Sequence, residues 1–206
     1  MNKAFIFDWS GTLSDNFSCF CKVCNNIFIE LGVQPISENE IRQNFTLPYM
    51  KFWNKYLPDL SKEKQDELYE KYIHLAGEPD LHKNVSEIIN YLNKKEFKIF
   101  ILSSDPLSKL VPEVARSGFA ELVSETIGAT HEKKDVIISL LDNHQLDKSN
   151  TFYVGDTSGD VEAGQCAGVK TIGISWGFQH RDILARSNPD YLIDDIVEIK
   201  SILSKG

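Results

Sequence analysis

"FIFDWSGTLSDN", residues 5–16, decides how this 206-residue chain is read. Three apolar residues run into Asp8, and the chain then turns polar, small and glycine-containing. A strand buried on both faces has this texture where it delivers one carboxylate to the open end of a parallel sheet. The run "KAFIF" (3–7) has companions in "FKIFIL" (97–102), "NTFYV" (150–154) and "VKTIGIS" (169–175). Helical patterns over 107–117, 133–144 and 158–167 separate the later ones. Strand and helix alternating at short connections predict an α/β fold, a doubly wound, Rossmann-like parallel sheet.

That alternation breaks between Phe17 and Leu81, where only helical periodicity is found. Ile27, Phe28 and Leu31 share one face, as do Ile41 and Phe45, and Leu68, Tyr72 and Leu75. Pro35, Pro48, Pro58 and Pro79 divide the stretch into three or four helices. The expectation is an inserted α-helical cap domain over residues 15–81, with residues 1–14 and 82–206 forming the α/β core. The charged run "SKEKQDELYEKY" (61–72) reads as a solvated helix face with i,i+4 pairing. Asp15 reads as a helix cap.

A composition of 42% hydrophobic and 25% charged residues is that of a globular protein. The formal charge of −8 argues against nucleic acid or an anionic membrane as partner, since both are bound through Lys and Arg. No apolar run approaches the ~18 residues of a membrane span, and the N-terminal stretch is too short for a signal peptide. The expected location is the cytosol. Cys19, Cys21 and Cys24 cannot converge on one ion from a helix, because the first two point to nearly opposite sides. All four cysteines, Cys166 included, read as reduced side chains.

Ligands of open α/β sheets bind beyond the carboxyl ends of the strands. After the first strand come Asp8, Ser10, Gly11 and Thr12; after "KIFIL" come Ser103, Ser104 and Asp105. "GDTSGD" after "TFYV" carries Asp156 and Asp160, and Lys133 and Lys134 open the preceding helix. Clustered carboxylates repel one another unless a cation joins them, and hard oxygen ligands suit Mg²⁺. Mg²⁺ beside a lysine suits a phosphoryl group, which a neighbouring carboxylate can attack to give an aspartyl-phosphate. The expected partner is a small phosphorylated metabolite.

These motifs resemble those of the haloacid dehalogenase superfamily, and the likeness spans nearly the whole chain. "FDWSGTLSDN" is similar to the family's first motif, "ILSSD" to its second, "HEKKDVIISLL" to its third and "YVGDTSGDVEAGQCAG" to its fourth. "TIGISWGF" and "DYLIDDIVEI" look like the end of its phosphoglycolate-phosphatase-like branch. The resemblance implies Asp8 as nucleophile and metal ligand, with the main-chain carbonyl of Ser10 as a second ligand. It also implies Asp156 and Asp160 at the metal, and Ser103, Ser104, Gly11 and Thr12 around the phosphate. Lys133 would balance the phosphate charge, with Lys134 as the alternative.

Ser10 departs from the family's pattern, which usually has a second aspartate there to protonate the leaving oxygen and activate water. A hydroxyl is no general acid near neutrality, and losing a positioned acid/base costs ~10²–10⁴-fold. The expected activity is therefore an Mg²⁺-dependent phosphatase, slowed or directed at good leaving groups. The alternatives are cleavage of a phosphonate using Lys51 as a Schiff base, or phosphate binding without turnover. Candidate cap contacts are Phe45, Leu47, Tyr49, Lys51, Phe52 and Trp53, forming either a packed helix or a pocket for a ring-bearing substrate. Trp9 either covers the site or packs, and His131 and His180 read as surface histidines.

Overall fold

Period-two alternation along each apolar run sorts its side chains onto two faces, and both faces are covered. The computed structural model describes residues 2–46, 48–130 and 132–204; Leu47 and His131 lie outside them. Strands β1 (Asn2–Phe7), β2 (Lys98–Leu102), β3 (Glu125–Ile127), β4 (Leu146–Gly155), β5 (Lys170–Ile174) and β6 (Tyr191–Ile193) make one sheet. Its order is β3-β2-β1-β4-β5-β6, and every pairing is parallel. The chain leaves β1 toward β2 on one side and β4 on the other, so the direction of winding switches beside β1. A crevice opens at the carboxyl ends of the strands at such a point.

Ten helices accompany the sheet among the described residues. In chain order they are α1 (Phe17–Glu30), α2 (Glu38–Asn44), α3 (Met50–Tyr56), α4 (Lys62–Ile73) and α5 (Val85–Lys94). Then come α6 (Leu107–Arg116), α7 (Lys133–Asn143), α8 (Ser158–Ala167), α9 (Arg181–Arg186) and α10 (Ile199–Ser204). Phe5, Phe7, Ile99, Ile101, Phe152 and Val154 face α5 and α6, while Ala4, Ile6, Phe100, Leu102 and Tyr153 face α7 and α8. The α5 helix, passed over by the strand-to-strand reading, buries Val85, Ile88, Ile89 and Leu92 at helical spacing.

Helices α1 to α4 build a separate apolar cluster from Phe20, Cys24, Ile27, Phe28, Phe52 and Leu68, which Phe178 joins from beyond β5. The stems of this helical segment run side by side: Asp15 N–H donates to the Asp80 carbonyl at 2.8 Å, and His82 N–H to that of Leu13 at 2.9 Å. Cys19, Cys21 and Cys24 are buried as free thiols, and Cys166 is exposed. No described helix is long and apolar enough to cross a membrane.

Several local expectations need correction. The predicted inward faces run too far: Leu31 is 36% and Leu75 73% exposed, because α1 and α4 end before them, and Ala76 is buried instead. Asp15 does not cap α1; Asn16 holds that position and turns its side chain back to the β1 loop, while Asp15 lies exposed 4.0 Å from His82. His180 is half-buried, its Nε2 3.1 Å from Asn39 Oδ1.

Phe5 stacks on Phe7 and Phe152 at centroid distances of 5.6 and 4.7 Å and meets Phe97 edge-on at 5.1 Å. Phe5→Ala would leave a cavity at the centre of this layer, with an expected cost of ~3–5 kcal/mol in chemical denaturation.

Candidate active site

The strand ends converge at the switch point. Asp8 follows β1, Ser103 follows β2 and Asp156 follows β4, with Asp8 N–H donating to the Val154 carbonyl at 2.9 Å. Asp160 stands in the first turn of α8, and Lys133 opens α7. The Lys133 ammonium donates to Asp8 Oδ1 at 2.8 Å and to Asp160 Oδ1 at 2.7 Å, and all three side chains are buried. Lys134 is exposed, so the chain brings the first of the two lysines to Asp8.

Asp160 also closes a capping box with Thr157: its Oδ2 accepts from Thr157 N–H at 3.1 Å and Oγ1 at 2.6 Å, and the Tyr153 hydroxyl donates to Oδ1 at 2.8 Å. The spacing Thr-x-x-Asp before a helix signals this box in the sequence; the Tyr153 contact has no such signal. Asp156 Oδ2 accepts from Phe178 N–H at 2.5 Å. Gly11 lies at φ +76°, and a Cβ there would stand 2.4 Å from Asp156 Oδ2, so this turn needs glycine.

Ser10 belongs to a second polar network. Its hydroxyl donates to Asp105 Oδ2 and accepts from Asn16 Nδ2 at 2.7 Å, while Asn16 Oδ1 accepts from Gly11 N–H at 2.9 Å. Asp105 further accepts from Ser103 Oγ at 3.2 Å and from Lys109 Nζ at 3.0 Å. The sequence placed Asp105 after β2 but could not show that it meets position 10, nor that Lys109 pairs with it one helical turn later.

The two networks differ in charge balance. Burial raises the Asp8 carboxyl to about 7, with Asp160 and Asp105 adding to the effect and Lys133 opposing it. Burial, then Asp8 and Asp160, push Asp156 well above the usual carboxylate range. Burial acts the same way on Asp160 and Asp105, but it is outweighed by Lys133 at the first and Lys109 at the second, so both lie below their ordinary value. One ammonium thus faces three buried carboxylates, and an oxygen from each of Asp8, Asp156 and Asp160 lies within 4.8 Å of the others. This oxygen-only, charge-deficient donor set fits a hard divalent cation such as Mg²⁺.

A cavity over this cluster is lined by Asp8, Ser10, Ser103, Ser104, Lys133 and Asp156 at its floor. Ser104 Oγ donates to the Thr130 carbonyl at 2.9 Å. Gly11 and Thr12 lie behind the floor, with the Thr12 hydroxyl 3.5 Å from Asp8 Oδ2. Of the candidate contacts in the helical segment, Phe45, Tyr49 and Trp53 line the cavity. Phe52 packs within the segment, and Lys51 is exposed and absent from the lining, because α3 turns it to the opposite side. Trp9 is a packing residue, buried against Phe119 with its Nε1 donating to Glu113 at 2.6 Å.

Residues 5–174 match the haloacid dehalogenase-like hydrolase family. A phosphoglycolate phosphatase of Vibrio parahaemolyticus is 26% identical over 98% of this chain and 96% of its own. That of Vibrio cholerae is 28% identical over 94% and 93%. A haloacid dehalogenase-like family hydrolase from Streptococcus pneumoniae shares the fold at a TM-score of 0.84, with 24% identity and 98% of both chains covered.

The raised carboxyl of Asp8 links stability to pH. Protonated Asp8 fits the fold better than the carboxylate, so its contribution is complete below the unfolded value of 3.8 and lost as pH rises through about 7. In chelator, the gap in Tm between wild type and Asp8→Asn is expected to widen against the wild type from pH 4 to pH 8.

Proposed function

The chain belongs to the haloacid dehalogenase-like hydrolases, and from that premise we propose that it is a phosphatase that transfers the phosphoryl group of a small metabolite to Asp8 and then to water. The observation that carries this reading is a buried carboxylate facing a cavity, bonded to one lysine and crowded by two further carboxylates. The phosphoglycolate phosphatases among its relatives support a small phosphorylated substrate. The cytosolic location expected from the sequence belongs to the same proposal.

Asp8, Asp156, Asp160 and the main-chain carbonyl of Ser10 would hold Mg²⁺, which when bound supplies positive charge to the carboxylates and to the phosphoryl oxygens. The Asp8 carboxylate attacks phosphorus; the P–O ester bond breaks and its electron pair leaves on the alcohol oxygen. Water then attacks phosphorus, releasing phosphate and restoring Asp8. Lys133 offsets the charge of Asp8 and of the arriving phosphate, and the Ser103 hydroxyl exchanges its bond to Asp105 for one to a phosphate oxygen. Residues 15–81 act as a cap that shields these steps from bulk water, with residues 1–14 and 82–206 as the catalytic core.

Ser10 offers no acid to the leaving oxygen, so turnover favours acyl and aryl phosphates, whose leaving groups need none. Phosphonate cleavage through Lys51 loses its support, because that lysine does not line the cavity.

Purified protein with Mg²⁺ is expected to release phosphate from acetyl phosphate and p-nitrophenyl phosphate, and chelation is expected to stop it. Asp8→Asn is expected to lower kcat by at least ~10³-fold; retained activity would refute the nucleophile. Ser10→Asp alone would set a second carboxylate against Asp105, so the informative variant joins Ser10→Asp with Asp105→Asn. It is expected to raise kcat on alkyl phosphates by ~10²-fold, and an unchanged rate would show that the missing acid does not limit turnover.

A further inference from the structure

The cavity above Asp8 has a volume of about 460 Å³, within the ~300–1,000 Å³ of small-molecule sites. A phosphoryl group on Asp8 occupies only its floor. The remainder is walled by Phe20, Phe45, Tyr49, Trp53, Tyr69 and Phe178. Phe20, Phe45 and Phe178 pack on one another at centroid distances of 5.0–5.2 Å, which makes this wall firm.

Two polar groups interrupt the aromatic wall, and both come from α4. Gln65 is 3% exposed and lines the cavity, yet its amide makes no hydrogen bond among the described residues. Tyr69, one turn on and so on the same face, also lines it; its hydroxyl has no partner there either, and burial pushes its pKa up. The Gln65 amide opens onto the cavity with neither its donor nor its acceptor used by the described residues, so a ligand edge that offers both can pair with it.

The charges of the lining exclude a different occupant. Among the described lining residues the cations are Lys133 and Lys62. Lys133 is committed to Asp8 and Asp160, and Lys62 stands half-exposed at the rim, held by Asp66 at 2.5 Å. Glu70 adds a further carboxylate to that side. A second anionic group on the substrate would find no free cation among these residues. A two-carbon acid would also leave most of the volume unfilled.

We propose that the organic part of the substrate is a planar, uncharged ring with a hydrogen-bonding edge, seated against the aromatic wall and paired by Gln65 and Tyr69. This inference rests on the phosphatase reading above and names the substrate class for the same site. The ring stacks on side chains that offer a π-face, while the amide and hydroxyl of α4 select its edge. Gln65 and Tyr69 are specificity-determining residues in this account, and neither takes part in phosphoryl transfer.

The test compares kcat/KM, with Mg²⁺, for the four common nucleoside 5′-monophosphates, ribose 5-phosphate and phosphoglycolate. The nucleotides and ribose 5-phosphate share a primary alcohol as leaving group and differ in the ring, which separates ring recognition from leaving-group chemistry. The best nucleotide is expected to exceed both compounds that lack a planar base by about tenfold or more. Gln65→Ala, and independently Tyr69→Phe, which keeps the ring and its packing, are expected to narrow the ratio of nucleotide to ribose 5-phosphate mainly through KM. Phosphoglycolate turned over as well as the best nucleotide would overturn the inference, as would a ratio that neither variant moves. Acetyl phosphate is run beside them: hydrolysis without any ring preference sinks this inference alone, whereas failure to release phosphate from every compound, acetyl phosphate included, sinks the phosphatase reading as well.

Discussion

Lys133 lies buried between Asp8 and Asp160, and the rest of the site is arranged around the charge that this contact leaves unbalanced. Removing two carboxylates and an ammonium from water is costly, and a third carboxylate, Asp156, stands beside them without a cation of its own. The fold tolerates this because each group is fixed by backbone that the sheet already positions. Asp8 is anchored through its N–H to β4, Asp156 accepts from the main chain of Phe178, and Asp160 is bound into the cap of α8. The excess negative charge at the switch point is therefore a built feature, and it gives a hard divalent cation a reason to bind there.

Beside it stands a network that is neutral overall. Asp105 and Lys109 balance each other, and Ser10 is bonded to that pair rather than standing free toward Asp8. Position 10 is thereby tied to β2 and α6 and serves as a structural link across the cavity floor. Lys109 and the bonds from Ser10 and Ser103 keep Asp105 ionised against the opposing effect of burial. Two carboxylate groups a short distance apart thus carry opposite tendencies, set by which of them has its own lysine.

The helical segment meets this floor with aromatic rings and a single face of α4. Its cluster takes in Phe178, from the stretch after β5, and the Phe178 N–H also fixes Asp156. One short stretch after β5 therefore couples the wall of the cavity to a carboxylate of the site.

The doubly wound sheet, four of its six strands, the helices between the later ones and the positions of Asp8, Ser103, Asp156 and Asp160 at its edge were legible in the sequence, whereas β3, β6 and α5 were not. The legible parts follow from local patterning: apolar runs of strand length, each ending in a polar turn, admit few arrangements. Helix ends were less legible, as Leu31 and Leu75 show, because periodicity marks a face and says little about where the backbone leaves it. Tertiary structure alone decided what the individual side chains meet. It separated Lys133 from Lys134, gave Ser10 to Asp105, sent Asn16 to the β1 loop in place of a helix cap, and turned Gln65 and Tyr69 to the cavity while leaving Lys51 outside. Those outcomes depend on contacts between residues far apart in the chain, and a pattern of neighbours carries no record of distances across the fold.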